Sequence, residues 1–327
     1  MVARANTPRR WRCVTSWAKN LLGPGVSAAR LVRRIEAMSD GQLQIELFAA
    51  GEIVPALGVF DAVSTGTVEM GHSASLFWQG KLPVAPLFTT LPFGLTPAAH
   101  AAWLDAEGQA LWSKAYAPFR VRPMLGGNTG PSSAGWFRKA IQDPADLEGL
   151  RIRVTGLGGE LYRRLGATPI VLAPGETYSA LERGLVDAAE FLAPSNDMAL
   201  GLHRVARHLV FPGFNKPNGA SELLVGEAAW QSLTPSLRAI IEGAARAEHD
   251  QGLAEAQMAN ARVLRQLAEQ GVQFHRLPDA VLSRASAVAT ELVTDLAKTD
   301  PLSAEIVASY RSHLNDSARA WDRMSRL

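Results

Sequence analysis

Few side chains in this sequence combine a reactive type with a telling position. Arg153 closes the run Arg151-Ile152-Arg153-Val154, whose alternation predicts a strand of a βαβ unit. It therefore sits at the C-terminal strand edge, where open α/β sheets place their ligands. A guanidinium there matches a carboxylate through two parallel hydrogen bonds. Position alone leaves a surface ion pair equally open. Asn128 and Thr129, within Gly126-Gly127-Asn128-Thr129-Gly130, could add polar contacts or mark only a turn.

Other constellations fail on spacing. Gly156, Gly158 and Gly159 lie where a dinucleotide fingerprint would, but Leu161 stands where its third glycine is needed, so a tight turn is expected. His203 and His208 would point about 140° apart on a helix, which does not converge on a metal. Gly71-His72-Ser73-Ala74-Ser75 lacks the closing glycine of a nucleophile elbow. Cys13, the single cysteine, has no second thiol for a disulfide or a thiolate zinc site, and reads as a small buried side chain in a strand over residues 11–16. No nucleophile is paired with a base.

The elements that must position Arg153 follow from patterning. Leu31, Val32, Ile35 and Met38 recur at helical spacing and stop at Ser39-Asp40-Gly41. Leu43, Ile45 and Leu47 then alternate with polar residues as a half-buried strand. A helix over 56–64 and a strand over 68–70 follow, predicting one α/β lobe. Residues 77–96 carry Pro83, Pro86 and Pro92 beside Phe77, Trp78, Phe88 and Phe93, a loop able to wall a pocket. Candidate strands at 151–154, 169–172, 188–192 and 208–211, separated by helices, predict a second α/β lobe with parallel strands. Residues 236–270 read as one helix about 50 Å long, enough to brace both lobes. Helices over 279–297 and 303–325 complete the chain.

With 327 residues, 47% hydrophobic and 20% charged, the chain can bury a core for about two domains or lobes. Its 33 Lys and Arg against 31 Asp and Glu leave a net charge of +2, which argues against nucleic acid as a default partner. Residues 1–10 are basic without an apolar core, so no intact secretory signal is read there, and a removed signal would leave the same sequence.

Two runs carry a resemblance. Gly149-Leu150-Arg151-Ile152-Arg153-Val154 and the segment from Tyr178-Ser179-Ala180-Leu181-Glu182-Arg183-Gly184 through Leu185-Val186-Asp187-Ala188-Ala189-Glu190 resemble the extracytoplasmic solute receptors of TRAP transporters, the DctP-type family. Ser39-Asp40-Gly41-Gln42-Leu43, Phe60-Asp61-Ala62-Val63 and Leu200-Gly201-Leu202-His203-Arg204-Val205-Ala206 extend it in order over nearly the whole chain. Gly127-Asn128-Thr129-Gly130, Gly135-Trp136-Phe137 and Leu76-Phe77-Trp78 are similar to the branch that binds 2-oxo and 2-hydroxy monocarboxylates.

The resemblance implies a two-lobed periplasmic solute-binding α/β fold with the ligand between the lobes. Lobe I is expected over 1–124 plus 215–250, and lobe II over 125–214 plus 251–327, hinged near 124–128 and 212–215. Arg153 is expected to clamp the carboxylate of a small organic acid, which is then handed to TRAP membrane permease subunits. Asn128 would add a polar contact, and Trp17, Trp78, Phe93, Phe191 and Phe214 an apolar wall. Some relatives of that branch hold a cation through a Gln, the Glu matching Glu190, the main chain of the next aromatic, and a later acid. Here Ser132, Phe191 and Lys216 replace the Gln, the usual Trp and the later acid, so no metal and no cofactor are expected. Glu190 and Lys216 are thus taken as ligand-site residues; the alternative is an enzyme of the same architecture with Glu190 as base and Lys216 as acid.

Overall fold

The computed structural model describes residues 8–325, so the basic stretch read at 1–10 lies outside the described residues as far as Thr7. Two sheets are present among them. The first has the order β2-β1-β3-β10-β4, built from β1 (Arg9–Thr15), β2 (Leu43–Phe48), β3 (Met70–Ser73), β4 (Val121–Asn128) and β10 (Ala220–Gly226). The second has the order β11-β9-β5-β8-β6-β7, from β5 (Gly135–Phe137), β6 (Arg151–Arg153), β7 (Thr168–Ile170), β8 (Ala188–Ala189), β9 (His208–Phe211) and β11 (Gln273–Arg276). The helices are α1 (Pro24–Met38), α2 (Val59–Ser64), α3 (Pro97–Trp103), α4 (Gln109–Tyr116), α5 (Leu157–Arg164), α6 (Thr177–Glu182), α7 (Pro194–Ala199), α8 (Glu227–Gln231), α9 (Pro235–Glu269), α10 (Asp279–Leu296) and α11 (Pro301–Ser325).

Alternation in β2 places Leu43 and Ile45 opposite Arg9 and Trp11 of β1 in parallel register, so the apolar face of β2 joins Trp11 and Cys13. Leu31, Val32 and Ile35 of α1 close over that face as one core. Burial pushes the Cys13 thiol up to about 12, consistent with a packing role. The second sheet is not all parallel as expected. Strand β5 runs antiparallel to both β8 and β9, because it enters directly from the first lobe rather than through a crossover helix.

Helix α9, about 52 Å long at 1.5 Å per residue, packs against β4 and α1 in the first lobe and α7 in the second. Its attachment to α1 is ionic: Glu248 accepts from Ser27 Oγ at 2.7 Å and from Arg30 Nε at 2.8 Å, while Arg30 Nη1 reaches Glu255 at 2.6 Å. The division of lobes differs from expectation in two places. Strand β4 stays in the first sheet through Asn128, beyond residue 124. Helix α11 packs on the first lobe, since Ile306, Val307 and Tyr310 fill a core with Phe88, Trp103 and Trp112, whereas α10 lies on α5 of the second.

The chain crosses between lobes at 129–134 and returns at 212–219, and the two crossings pair with each other. Thr129 N donates to Gly219 O at 3.0 Å and Ser132 N to Lys216 O at 3.1 Å. Their approach leaves no room for a side chain at Gly213, where a Cβ would lie 1.9 Å from Ser132 O. Gly213→Ala is therefore expected to lower stability by about 1–3 kcal/mol through forced separation of the crossings. Gly175→Ala, at a position with open space around it, should leave the thermal midpoint within the error of the same melt.

Candidate functional site

The crossings and the facing edges of the two sheets enclose a small cleft. Its lining includes Trp17, Ala74, Leu76, Phe77 and Thr89 from the first lobe, Thr129 and Lys216 from the crossings, and Arg153, Thr155 and Phe191 from the second. The cavity between them is about 20 Å³, so the lobes are nearly closed.

Arg153 ends β6, and pairing of β6 with β7 on one side and β8 on the other fixes its backbone within the second sheet. Its side chain is 1% exposed. Nη1 donates to Glu190 O at 2.7 Å and Nη2 to Leu172 O at 3.1 Å, both carbonyl oxygens, while Nε is buried without a partner. The guanidinium lies 5.4 Å from the Phe191 ring centroid. Burial pulls its pKa down, opposed by the charges of Glu190 and Asp197. A cation so placed, with a spare donor, has the charge and geometry to take up an anion's oxygens.

Lys216 is also buried, at 5% exposure. Its ammonium pairs with Glu190 Oε1 at 2.5 Å and donates to the carbonyl of Phe191. The hydroxyl of Ser132 donates to Lys216 O at 2.9 Å, which pins the lysine's backbone. Behind this pair, Asp197 accepts from Leu192 N at 3.0 Å and Trp136 Nε1 at 2.9 Å, and burial pushes its carboxyl up to about 7.

Trp17 presents its ring to the cleft because its indole N–H is already used, donating to His72 Nδ1 at 2.8 Å. His72 Nε2 lies 3.0 Å from Gly126 O and therefore carries the proton, and burial lowers the ring's pKa and holds it neutral.

The remaining expected residues are placed differently. Trp78 points into the first lobe's core, 5.3 Å from the Phe60 ring, and its indole N–H donates to buried Glu222. The single 3-10 turn Ser75–Trp78 sends Leu76 and Phe77 to the cleft instead. Phe93 packs on Phe214 at 5.4 Å, and Phe214 on Tyr162 at 5.8 Å, so both fill the base of the crossings and are absent from the cleft lining. Asn128 is saturated within the crossings: Nδ2 lies 2.9 Å from Asn218 Oδ1 and 3.1 Å from His249 Nε2, and Oδ1 accepts from Gly130 N at 2.8 Å. Its neighbour Thr129 faces the cleft. Thr89 and Thr155, also in the lining, carry no motif that would mark them in the sequence.

Two α/β lobes joined by paired crossings, braced by one long helix and closed on a cationic cleft, define a two-lobed solute-binding protein. Residues 23–300 match the model of the bacterial extracellular solute-binding protein family 7, DctP, and the chain belongs to this family. Such proteins are binding proteins rather than enzymes, so the alternative of Glu190 and Lys216 as a catalytic pair does not apply. A monocarboxylate 2-oxoacid-binding periplasmic protein of Nostoc sp. is 35% identical over 97% of this chain and 87% of its own length. A TRAP transporter solute-binding protein of Bordetella bronchiseptica, solved with copurified calcium and picolinate, superimposes with a TM-score of 0.94 at 33% identity, covering 98% of this chain and 95% of that one. One from Pseudoalteromonas atlantica, with bound sodium and pyruvate, gives 0.93 at 32% identity, covering 98% and 97%. No helix among the described residues is long and apolar enough to cross a membrane.

The buried acid beside Trp78 generates a pH prediction. Burial raises the Glu222 carboxyl to about 8, against the lowering effect of its bonds from Trp78 and Tyr116. The folded chain then holds a proton that the unfolded chain releases near pH 4.5, so this contribution to stability is full below that pH and is lost as pH rises to about 8. Asp197 acts in the same direction up to about 7. Glu222→Gln, which mimics the protonated acid, should flatten the fall in urea midpoint between pH 5 and 8.5.

Proposed function

We propose that this protein is the periplasmic receptor of a TRAP transporter for a small 2-oxo or 2-hydroxy monocarboxylate such as pyruvate. The observation that carries the reading is Arg153: a buried guanidinium in the cleft with an unpartnered Nε and only carbonyl oxygens for partners. A carboxylate completes that arrangement by charge and by geometry. The small size of the closed cleft and its mixture of Trp17, Phe77 and Phe191 with Thr89, Thr129 and Thr155 suit a ligand of few atoms. The 2-oxoacid-binding relative and the pyruvate-bound structure support the same ligand class. Family membership supports delivery to a membrane permease, with binding outside the cytoplasmic membrane.

Calorimetric titration of 2-oxo and 2-hydroxy acids tests the reading. Pyruvate is expected to bind, and Arg153→Ala to weaken it at least about thirtyfold, the equivalent of the roughly 2 kcal/mol lost when a buried charged hydrogen bond is truncated. Arg153→Lys should recover little, since a point charge does not reproduce the fork. Unchanged affinity in both variants would sink the assignment of Arg153. Small-angle scattering should also show a smaller radius of gyration with saturating ligand, as the lobes close about the crossings.

A further inference from the structure

Related receptors of known structure hold calcium with picolinate or sodium with pyruvate. The cleft of this chain does not fit such a cation. Its lining includes no carboxylate side chain, and no cluster of three or more His, Cys, Asp or Glu suited to a metal occurs among the described residues. The buried carboxylate of Glu190 already faces a fixed cation: Lys216 Nζ lies 2.5 Å from Oε1. The same ammonium donates to Phe191 O, the main-chain oxygen beside that carboxylate. An ion entering here would have to share both oxygens with a fixed positive charge.

We infer that the Lys216 ammonium is a tethered cation that serves the cleft in place of a recruited metal, and that this receptor binds its carboxylate without one. The inference rests on the proposed ligand class and adds how that ligand is held. An ammonium has three donors; one goes to Phe191 O, the charge lies at ion-pair distance from Glu190 Oε1, which accepts no hydrogen bond, and Lys216 lines the cleft, where a ligand oxygen can meet a free donor. Ser132 holds the lysine in place through its hydroxyl and its N–H, both bonded to Lys216 O. The charges close to the cleft are Arg153 and Lys216 against Glu190, with Asp197 behind them raised toward neutrality by its burial. A monoanion balances that set, and a divalent metal would unbalance it.

Two titrations test this. Calcium alone is titrated into the wild-type protein and into Glu190→Gln, and pyruvate is titrated with EDTA in sodium-free buffer, then with calcium, then with sodium. No calcium binding dependent on Glu190, and pyruvate affinity equal within about twofold in the three buffers, are expected. Lys216→Ala should weaken pyruvate at least tenfold. Should that variant fold poorly with Glu190 left unpaired, the double variant Lys216→Met/Glu190→Gln removes both charges and should show the same loss. Calcium binding to the wild type that Glu190→Gln abolishes, a tenfold loss of pyruvate affinity on chelation restored by either ion, or unaltered affinity in both lysine variants would overturn the inference. The calcium arm reads without any organic ligand. An absence of pyruvate binding in every buffer would count against the ligand class, while a wild type that then bound calcium through Glu190 would separately sink the tethered cation.

Discussion

A guanidinium can be dry or unpaired without great cost, but hardly both. In an open cleft, water would solvate the free donors of Arg153; in the nearly closed cleft, Nε is buried without a partner and the hydrogen bonds go only to carbonyl oxygens. Closure over an empty site therefore carries a desolvation cost that closure over a carboxylate does not. This difference links ligand occupancy to the position of the lobes, since a ligand shifts a conformational equilibrium only by its unequal affinity for the two states. The fold around Arg153 is arranged so that this difference is felt: β6 is paired on both sides in its sheet, and the guanidinium lines a cleft shared with residues of the other lobe.

For that linkage to work, the lobes must move as bodies and the crossings must carry the motion. Each lobe has its own core, one centred on Phe88, Trp103 and Tyr116 and the other on Phe137, Ile152 and Leu161. The crossings are paired main chain with glycine at Gly213 and Gly219, where side chains would collide with the opposite segment. The saturated amide of Asn128, bonded to Asn218 and His249, ties those crossings to α9. Buried Glu248 fixes α9 to α1 of the first lobe through Arg30, so the long helix belongs mechanically to that lobe while its later turns rest against α7 of the other.

Much of this was legible in the sequence where the signal is periodic or conformational. The pattern of Leu43, Ile45 and Leu47 marks β2 at its observed bounds, the proline-free stretch 236–270 marks α9 to within a residue, and Arg153 was placed at a strand end by local patterning alone. The strands β5 and β11 were not visible, because Gly135-Trp136-Phe137 is buried throughout and Gln273-Phe274-His275-Arg276 is largely exposed, so neither alternates. The aromatic wall failed for a different reason. Leu76, Phe77 and Trp78 are all apolar, and only the rotational phase of one 3-10 turn decides that Phe77 faces the cleft and Trp78 the core. Glu222, deep in the first lobe beneath Trp78, gives no sign in the sequence of its burial. Asn128 lies beside the cleft, yet its amide is spent within the chain and Thr129 does the facing.

On the inference drawn above, the Lys216 and Glu190 pair alters the thermodynamics of the site. A recruited ion brings its own concentration into the binding equilibrium, so affinity for the organic ligand follows the ionic composition outside the cell. A lysine tethered through its backbone to Ser132 has no such dependence; what it costs is the desolvation of two charges, offset within the protein by their contact at 2.5 Å and by the Phe191 carbonyl. That offset is complete before any ligand arrives. On that reading the ligand meets a preorganised pair of cations, Arg153 and Lys216, whose orientation is already fixed by carbonyl oxygens of the same segment, Glu190 O and Phe191 O. Two adjacent carbonyls thus set the angle between the two positive groups, and with it the shape of anion that can touch both.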